Sequence, residues 1–201
     1  MKLKLFTGMI LLLFLGVVMA SDQDNDQSVA KKIVSTKCHL CHGMEGEGSS
    51  AIYPRLAGQH KTYLIKQLKD FREGARTGTM NEMAFGLTDE EISALADYFS
   101  SKPPAAHKVR DQEFAGVGRY IFTKGNKYSG VAACASCHGE NGEGNEQLPR
   151  LAGQHKRYVA SQLMEFNSRK RTNDNAIMHS IASKLTELEI HAVAQYVSGL
   201  K

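Results

Sequence analysis

Tryptophan is absent from the 201 residues, and only four cysteines and four prolines occur. All four cysteines lie in two Cys-x-x-Cys motifs, so no thiol is left for a disulfide or a nucleophile. The sequence also has no large excess of charge of either sign, since it contains 25 Lys and Arg and 21 Asp and Glu. This near balance excludes the strongly basic surface that nucleic-acid binding needs, and no nucleic-acid partner is expected.

Long apolar runs are scarce apart from the N-terminus. Residues 5–18 are apolar, follow Lys2 and Lys4, and end close to the small residue Ala20. This order is typical of a secretory signal peptide, and the run is short for a bilayer span. We expect cleavage after Ala20 and export to the periplasm, with an uncleaved N-terminal anchor as the alternative. Ser21 is not a cysteine, so no lipoprotein anchor is indicated.

Two Cys-x-x-Cys-His motifs organise the chain, at residues 38–42 and 134–138. Their thiols can add to the two vinyl groups of one porphyrin, and the adjacent histidine is then held as an axial ligand of the iron. A zinc ribbon would place its second cysteine pair about 15 to 20 residues after the first, far closer than here. A redox dithiol of the thioredoxin type needs alternating strands and helices that this sequence lacks. The motifs therefore predict two haem c groups, bound through thioethers to Cys38, Cys41, Cys134 and Cys137, with His42 and His138 on the irons.

An internal duplication sets the domain organisation. The octapeptide at residues 54–61 recurs unbroken at residues 149–156, which indicates two units of the same fold. Between the halves, Pro103 and Pro104 cannot continue a helix. We therefore expect a signal peptide at 1–20, a first domain at 21–101, a linker at 102–112 and a second domain at 113–201.

Helical patterns recur in both halves. An amphipathic helix follows each octapeptide, and a threonine three residues before a glutamate marks the capped start of each closing helix. Neither half contains a convincing strand pattern. The predicted fold is all-α: two tandem cytochrome c-like domains, each wrapped around one covalently attached haem. The apolar stripes are Leu64, Leu68, Phe71 and Val159, Leu163, Phe166, and the capping pairs are Thr88 with Glu91 and Thr186 with Glu189.

The second axial ligand is predicted by aligning the halves at their capping threonines, which brings Met80 onto Met178. A thioether is a soft ligand that raises the reduction potential relative to ligation by two histidines. The predicted axial pairs are His42 with Met80 and His138 with Met178. His60 and His155 are also repeated, so ligation by two histidines stays open as an alternative.

The loop after each motif offers supporting groups. A metal-bound histidine usually donates its other N–H to a carbonyl or carboxylate, and the Pro54 and Pro149 loops are the natural source of that carbonyl. The following residues, Arg55 and Arg150, are candidates to pair with haem propionates, with a solvent-facing position as the alternative.

Together these residues resemble the dihaem cytochrome c4 family over the whole mature chain. The resemblance rests on the two attachment motifs, the repeated octapeptide, the distal methionines and the Leu-Thr starts of the closing helices. It implies two class I cytochrome c domains related by a pseudo-twofold axis, with haem propionate edges facing across their interface. One departure is the Ser28-Val29-Ala30-Lys31 segment, where the second half has a Gly116-x-Gly118 pattern, and this leaves the packing of the first helix open.

From the residues and the resemblance we expect an electron-transfer protein and not an enzyme. The resemblance implies a periplasmic carrier between respiratory complexes, with a quinol–cytochrome c reductase-type donor and a terminal oxidase as acceptor. It also implies peripheral attachment to the membrane, and a monomer is expected. The first alternative is the cytochrome subunit of a periplasmic dehydrogenase complex. The second is a dihaem peroxidase or gas sensor, which would need an open position on one iron.

Overall fold

The computed structural model describes residues 26–201, and the expected signal peptide lies outside this range. Residues 26–33 are helical (α1) and pass through a π-helical turn, Val34–Cys38, into α2. No helix within residues 26–201 combines the length and apolar character needed to span a bilayer. The remaining helices are α2 His39–His42, α3 Lys61–Arg72, α4 Met80–Ala84, α5 Asp89–Ser100, α6 Gln112–Lys124, α7 Ala135–His138, α8 Lys156–Asn167, α9 Ile177–Ala182 and α10 Glu187–Ser198.

The prediction of two all-α units is confirmed. No strand occurs in residues 26–201, where one isolated bridge joins Asn126 to Val131. The first unit consists of α1 to α5 and the second of α6 to α10. The second unit repeats the order of the first, because the two halves carry the same apolar and capping patterns.

The first unit closes around a core formed by its first and last helices. Ala30 and Val34 are fully buried and belong to the same apolar cluster as Leu95 and Phe99 of α5. Helix α3 packs on α5 and α4 and adds Leu64 to this cluster. The first helix therefore packs on the last although it lacks the glycine pattern of the second unit.

In the second unit α6 crosses α10 at very close range. Gly118 is the contact point: a Cβ built on it would lie 1.9 Å from the carbonyl oxygen of Ala192. Beside it, Phe122 is fully buried in a cluster with Ile190 and Val197 of α10. The absence of a side chain at position 118 is what lets the two backbones touch.

Both closing helices begin with the predicted capping box. The Glu91 amide donates to Thr88 Oγ1 at 3.2 Å, and the Thr88 amide donates to Glu91 Oε2 at 2.9 Å. Thr186 and Glu189 repeat this pair of bonds at 3.3 and 2.8 Å. These bonds satisfy backbone donors that an uncapped helix leaves exposed, and they fix where α5 and α10 begin.

The segments leading to the two attachment motifs differ. In the first unit the chain is helical without a break from residue 26 to residue 42. In the second, α6 is capped by Gly125, and a loop closed by the Asn126–Val131 bridge leads to Cys134. The two motifs are therefore held by different local supports.

Candidate haem sites

The two attachment motifs lie on one-turn helices. Cys41 lies within α2, one turn after Cys38, while Cys137 lies within α7 and Cys134 is its N-cap. All four thiols are free. Burial raises the pKa of the Cys38 and Cys134 thiols to about 11, so both carry their proton at neutral pH. Free thiols one helical turn apart are what thioether attachment of a porphyrin needs.

The motif histidines are buried and oriented alike. The Nδ1–H of His42 donates to the carbonyl oxygen of Pro54 at 3.0 Å, and that of His138 donates to Pro149 at 3.2 Å. This confirms the predicted carbonyl partner. Burial lowers the pKa of both imidazoles, although the carbonyl bond opposes the shift. Each ring is therefore neutral with its lone pair on Nε2, the nitrogen left to bind a metal.

A glycine after each histidine turns the chain away from the motif. Gly43 and Gly139 have φ values of +76° and +83°, in the left-handed region that favours glycine. A Cβ on them would meet the carboxylate carbon of Glu47 at 2.1 Å or of Glu143 at 2.4 Å. Each site therefore has a matching glycine turn and a matching glutamate carboxylate after its motif histidine.

The two predicted distal methionines lie on matching short helices. Met80 begins α4 and packs, half-buried, against the core cluster of the first unit, as does Cys38. Met178 is the second residue of α9, is half-buried, and its backbone amide donates to Asp174 Oδ2 at 2.5 Å. Helices α4 and α9 pack on α3 and α8 of their own units. Each methionine thus lies on a segment that its own unit holds in place.

The repeated histidines His60 and His155 bond to the opposite unit. His60 Nε2 donates to the Glu143 carbonyl at 2.7 Å, and His155 Nε2 donates to the Glu47 carbonyl at 3.3 Å. His155 Nδ1 also lies 2.9 Å from Nε2 of His107, in the segment between α5 and α6. Their ring nitrogens hold the two units together, so the structure gives no support to ligation by two histidines.

Reciprocal glutamine contacts complete this interface. Gln59 Oε1 accepts from the Arg150 amide at 2.8 Å and its Nε2 donates to the Arg150 carbonyl at 3.0 Å. Gln154 makes the same two bonds, at the same distances, to the backbone of Arg55. The Arg55 guanidinium donates to the carbonyls of Gly153 and Ala105, so the solvent-facing alternative is wrong for this arginine.

One interface cluster was not identified from the sequence. Six polar side chains meet between the units and are called here the arginine cluster. The sequence does contain a signal that could have identified them. Each side chain of the first unit has an identical residue 95 positions later in the second, and the two octapeptides are related by the same offset. The members are Tyr63, Gln67 and Arg76 of the first unit and Tyr158, Gln162 and Arg171 of the second.

Comparison with known proteins agrees with the duplicated fold. The family model for cytochrome c matches twice, at residues 28–103 and 122–201. Cytochrome c4 of Azotobacter vinelandii is 36% identical over 204 residues, covering 94% of this chain and 96% of that protein. The crystal structure of reduced recombinant cytochrome c4 from Pseudomonas stutzeri superposes with a TM-score of 0.80 at 35% identity, covering 87% of this chain and 98% of the other.

A functionally different relative is also similar. The thiosulfate dehydrogenase electron acceptor of Stutzerimonas stutzeri strain A1501 is 36% identical over 169 residues, which covers 81% of this chain and 78% of that protein. A similar sequence therefore also occurs in a protein named as the electron acceptor of a dehydrogenase.

Proposed function

This chain belongs to the cytochrome c4 family, and on that premise we propose that it is a periplasmic carrier of electrons between respiratory complexes. As a member of that family it is a c-type cytochrome that transfers electrons and carries two covalently bound haem c groups. The observation that carries the proposal is the pair of buried motif histidines. His42 is held by the carbonyl of Pro54, and His138 is held by the carbonyl of the matching Pro149.

For each iron we propose two protein ligands, His42 with Met80 and His138 with Met178, beside thioethers at the four cysteines. Haem supplies the one-electron Fe(III)/Fe(II) couple. The chain's own residues supply rigidity. The Pro54 carbonyl fixes the ring plane of His42, and α4, packed on α3, holds Met80. Ligands fixed in this way move little when the charge on the iron changes, which favours fast outer-sphere transfer without any bond of a substrate being broken.

The first unit is the better candidate to receive a protein partner, although Ile177 on the distal helix of the second unit is also 62% exposed. Three large apolar side chains next to its attachment motif and distal helix are 46–77% exposed. The matched positions of the second unit carry small or polar residues that are also exposed. Partial burial of exposed apolar surface is common at protein interfaces, so we propose that electrons enter or leave through the first unit. The three pairs are Leu40 and Ser136, Ile52 and Gln147, and Phe85 and Ser183.

The proposed partners are a quinol–cytochrome c reductase-type donor and a terminal oxidase acceptor. The signal-like N-terminus supports export to the periplasm, with domains at 21–101 and 113–201 joined by the 102–112 linker. A monomer with peripheral membrane contact completes the proposal. Purified complexes of both kinds test the proposed partners directly, because each should exchange electrons with this protein. Where charged surfaces guide docking, the rate of exchange should fall as the ionic strength rises.

Optical spectra test the axial ligands. The ferric holoprotein should show the weak sulfur-to-iron charge-transfer band at an intensity expected for two haems. Met80→Ala and Met178→Ala should each remove half of it, and the double variant all of it. Met83→Ala is the matched control, because this methionine is 42% exposed and falls on Ile181 in the second unit. A full-strength band in either single variant, or carbon monoxide binding by the reduced wild type, contradicts the assignment.

A second role is favoured by the thiosulfate dehydrogenase electron acceptor among the relatives. In that role the chain would accept electrons from a periplasmic dehydrogenase in a complex. The discriminating measurement compares the rate at which a purified thiosulfate dehydrogenase with thiosulfate reduces this protein with the rate for a quinol-oxidising complex. Faster reduction by the dehydrogenase, together with co-purification, would favour the second role.

A further inference from the structure

Helix α9 packs on its own unit, but the loop before it, residues 172–176, is bonded to the opposite unit. Lys66 Nζ of α3 donates to the backbone carbonyl of Asn173 at 2.8 Å. The Asn173 side-chain amide donates in return to Gln67 Oε1 at 3.1 Å and to Asp70 Oδ2 at 2.5 Å. Lys66, Gln67 and Asp70 are called here the α3 clamp, and residues 172–176 the distal loop of the second unit.

The clamp is connected to Met178 by a short path. Arg171 Nε donates to Asn173 Oδ1 at 3.0 Å, which fixes the orientation of the amide that the clamp binds. Asp174 follows Asn173 directly, and its Oδ2 accepts a hydrogen bond from the Met178 backbone amide at 2.5 Å. A shift of the distal loop away from α3 would therefore displace the backbone that carries the Met178 side chain.

The distal loop has no full counterpart in the first unit. Met178 comes seven residues after Arg171, but Met80 comes only four residues after the matching Arg76. The shorter segment, residues 77–79, forms no hydrogen bond to the second unit within the part of the chain that the structure describes. The support that a distal loop receives from the opposite unit is therefore one-sided.

The charged residues of the clamp are not repeated in the second unit. The offset of 95 residues brings Ser161 onto Lys66 and Glu165 onto Asp70. Both side chains bond within α8, to residues three positions away. The arginine cluster, in contrast, bonds across the interface from both units and cannot cause the difference. The one-sided contact thus has its origin in a sequence difference between the halves.

The distal loop has a backbone conformation that needs support. Asn175 and Ala176 have φ values of +56° and +64°, in the left-handed region. Asparagine tolerates this region, but the Cβ of alanine makes it unfavourable, and the matching residue of the first unit is Gly78. Strained backbone of this kind persists only where the surrounding contacts hold it in place. The clamp supplies such contacts.

We propose that Lys66 and Asp70 of the first unit, acting through Asn173, are positioning residues for Met178 at the second haem site. Hydrogen bonds to charged groups are stronger than those between neutral groups, and each of the two side chains supplies one. Ligation by Met178 then depends on the contact between the units, whereas ligation by Met80 does not. The inference rests on the proposed function, since it requires both methionines to be distal ligands.

Displacement by imidazole tests the clamp in the ferric holoprotein. Imidazole competes with methionine for the iron, and loss of the sulfur-to-iron charge-transfer band reports the exchange. One site is followed at a time, because the band that remains in Met80→Ala comes from Met178, and the band that remains in Met178→Ala comes from Met80.

The expected effect is confined to the second site. Lys66→Ala or Asp70→Ala, added to Met80→Ala, should lower the imidazole concentration that removes half of the band by about threefold to tenfold. The reason is that the bonds removed oppose the opened form to which imidazole binds. The same two changes added to Met178→Ala should leave the midpoint unchanged, although both lie in the unit that carries Met80.

Lys61→Ala is the matched control. This lysine lies on the same helix as Lys66, is 42% exposed against 47%, and forms its ion pair with Asp97 inside the first unit. Its removal should leave the imidazole midpoints of both sites unchanged. Lys66→Arg keeps a charged donor at the clamp, so it should retain most of the resistance of the second site to imidazole. Equal effects of Lys66→Arg and Lys66→Ala would contradict the role given to this hydrogen bond.

Hydrogen exchange gives a readout that does not depend on ligand displacement. The Met178 amide is bonded to Asp174, so in the ferrous holoprotein its exchange should be slow and should accelerate about threefold to tenfold in Lys66→Ala. The Glu91 amide, bonded to Thr88 in the first unit, is the internal reference and should not change.

Equal changes at both sites, a change confined to the first site, or no change in a folded variant each overturn the proposal. Failure of the proposed function would look different, because Met80→Ala would then show no band while the clamp is still intact. In that case the ligand assignment is wrong, and the exchange rate of the Met178 amide decides whether the clamp holds the distal loop.

Discussion

Replacing Gly118 by alanine should destabilise the second unit, whereas the same change at Gly116 should not. The new Cβ would lie 1.9 Å from the Ala192 carbonyl oxygen, about 1.4 Å closer than the ~3.3 Å at which carbon and oxygen make contact. That oxygen belongs to the backbone of α10, so no side-chain rotation relieves the overlap and the helices must separate. Overpacking of this kind costs about 3 kcal/mol, and better helix propensity returns about 1 kcal/mol, which leaves a net loss of about 2 kcal/mol.

Gly116→Ala is a matched control for Gly118→Ala on the same helix. Nothing lies within 4 Å of a Cβ at Gly116, so only the helix propensity changes and the free energy of unfolding should rise by about 1 kcal/mol. Guanidinium titration of both holoproteins, followed by far-UV circular dichroism, should therefore separate the variants by about 3 kcal/mol. Equal stability of the two would refute the argument that backbone contact, and not glycine flexibility, explains Gly118.

Three further predictions concern the surface, the acid response and a helix cap. Phe85→Ser should lower the second-order rate of electron exchange with a redox partner severalfold without changing the potentials, whereas the matched Ser183→Phe should not lower it. Burial and nearby positive charge lower the pKa of His107 to about 4, so below pH 6.5 the unfolded chain binds a proton that the folded chain does not. Stability should then fall between about pH 6.5 and 4, by about 1 kcal/mol at this solvent-screened site, and urea titrations should find that part of the fall absent in His107→Gln. Thr186→Ala should cost about 1 kcal/mol in thermal unfolding, and Thr186→Ser, which keeps the cap oxygen, only a fraction of that.

Local sequence patterns were sufficient for much of the fold. The capping boxes at Thr88 and Thr186 depend on residues three apart, and both occur as predicted. The carbonyl partner of His42 was also predictable, because a short loop brings Pro54 back to the motif. Such features need only nearby residues and elementary hydrogen bonding.

Contacts between the units were not predictable in the same way. His60 is repeated, which suits a ligand as well as an interface residue, and only the packing of the units shows its bond to the Glu143 carbonyl. Arg76 has the same ambiguity, since an arginine in a loop is ordinarily exposed. Its burial results from side chains more than eighty residues away in the sequence, such as Gln162, and no local pattern contains that information.

The matched bonds of Gln59 and Gln154 form an isologous contact, in which a surface patch meets a copy of itself. Two-fold homodimers are built this way, so the tandem chain corresponds to a dimer whose subunits are joined end to end. Separate subunits would dissociate on dilution, whereas a short tether keeps the local concentration of one partner near the other in the millimolar range. The separation of the two redox centres is therefore independent of how much of the protein the cell makes.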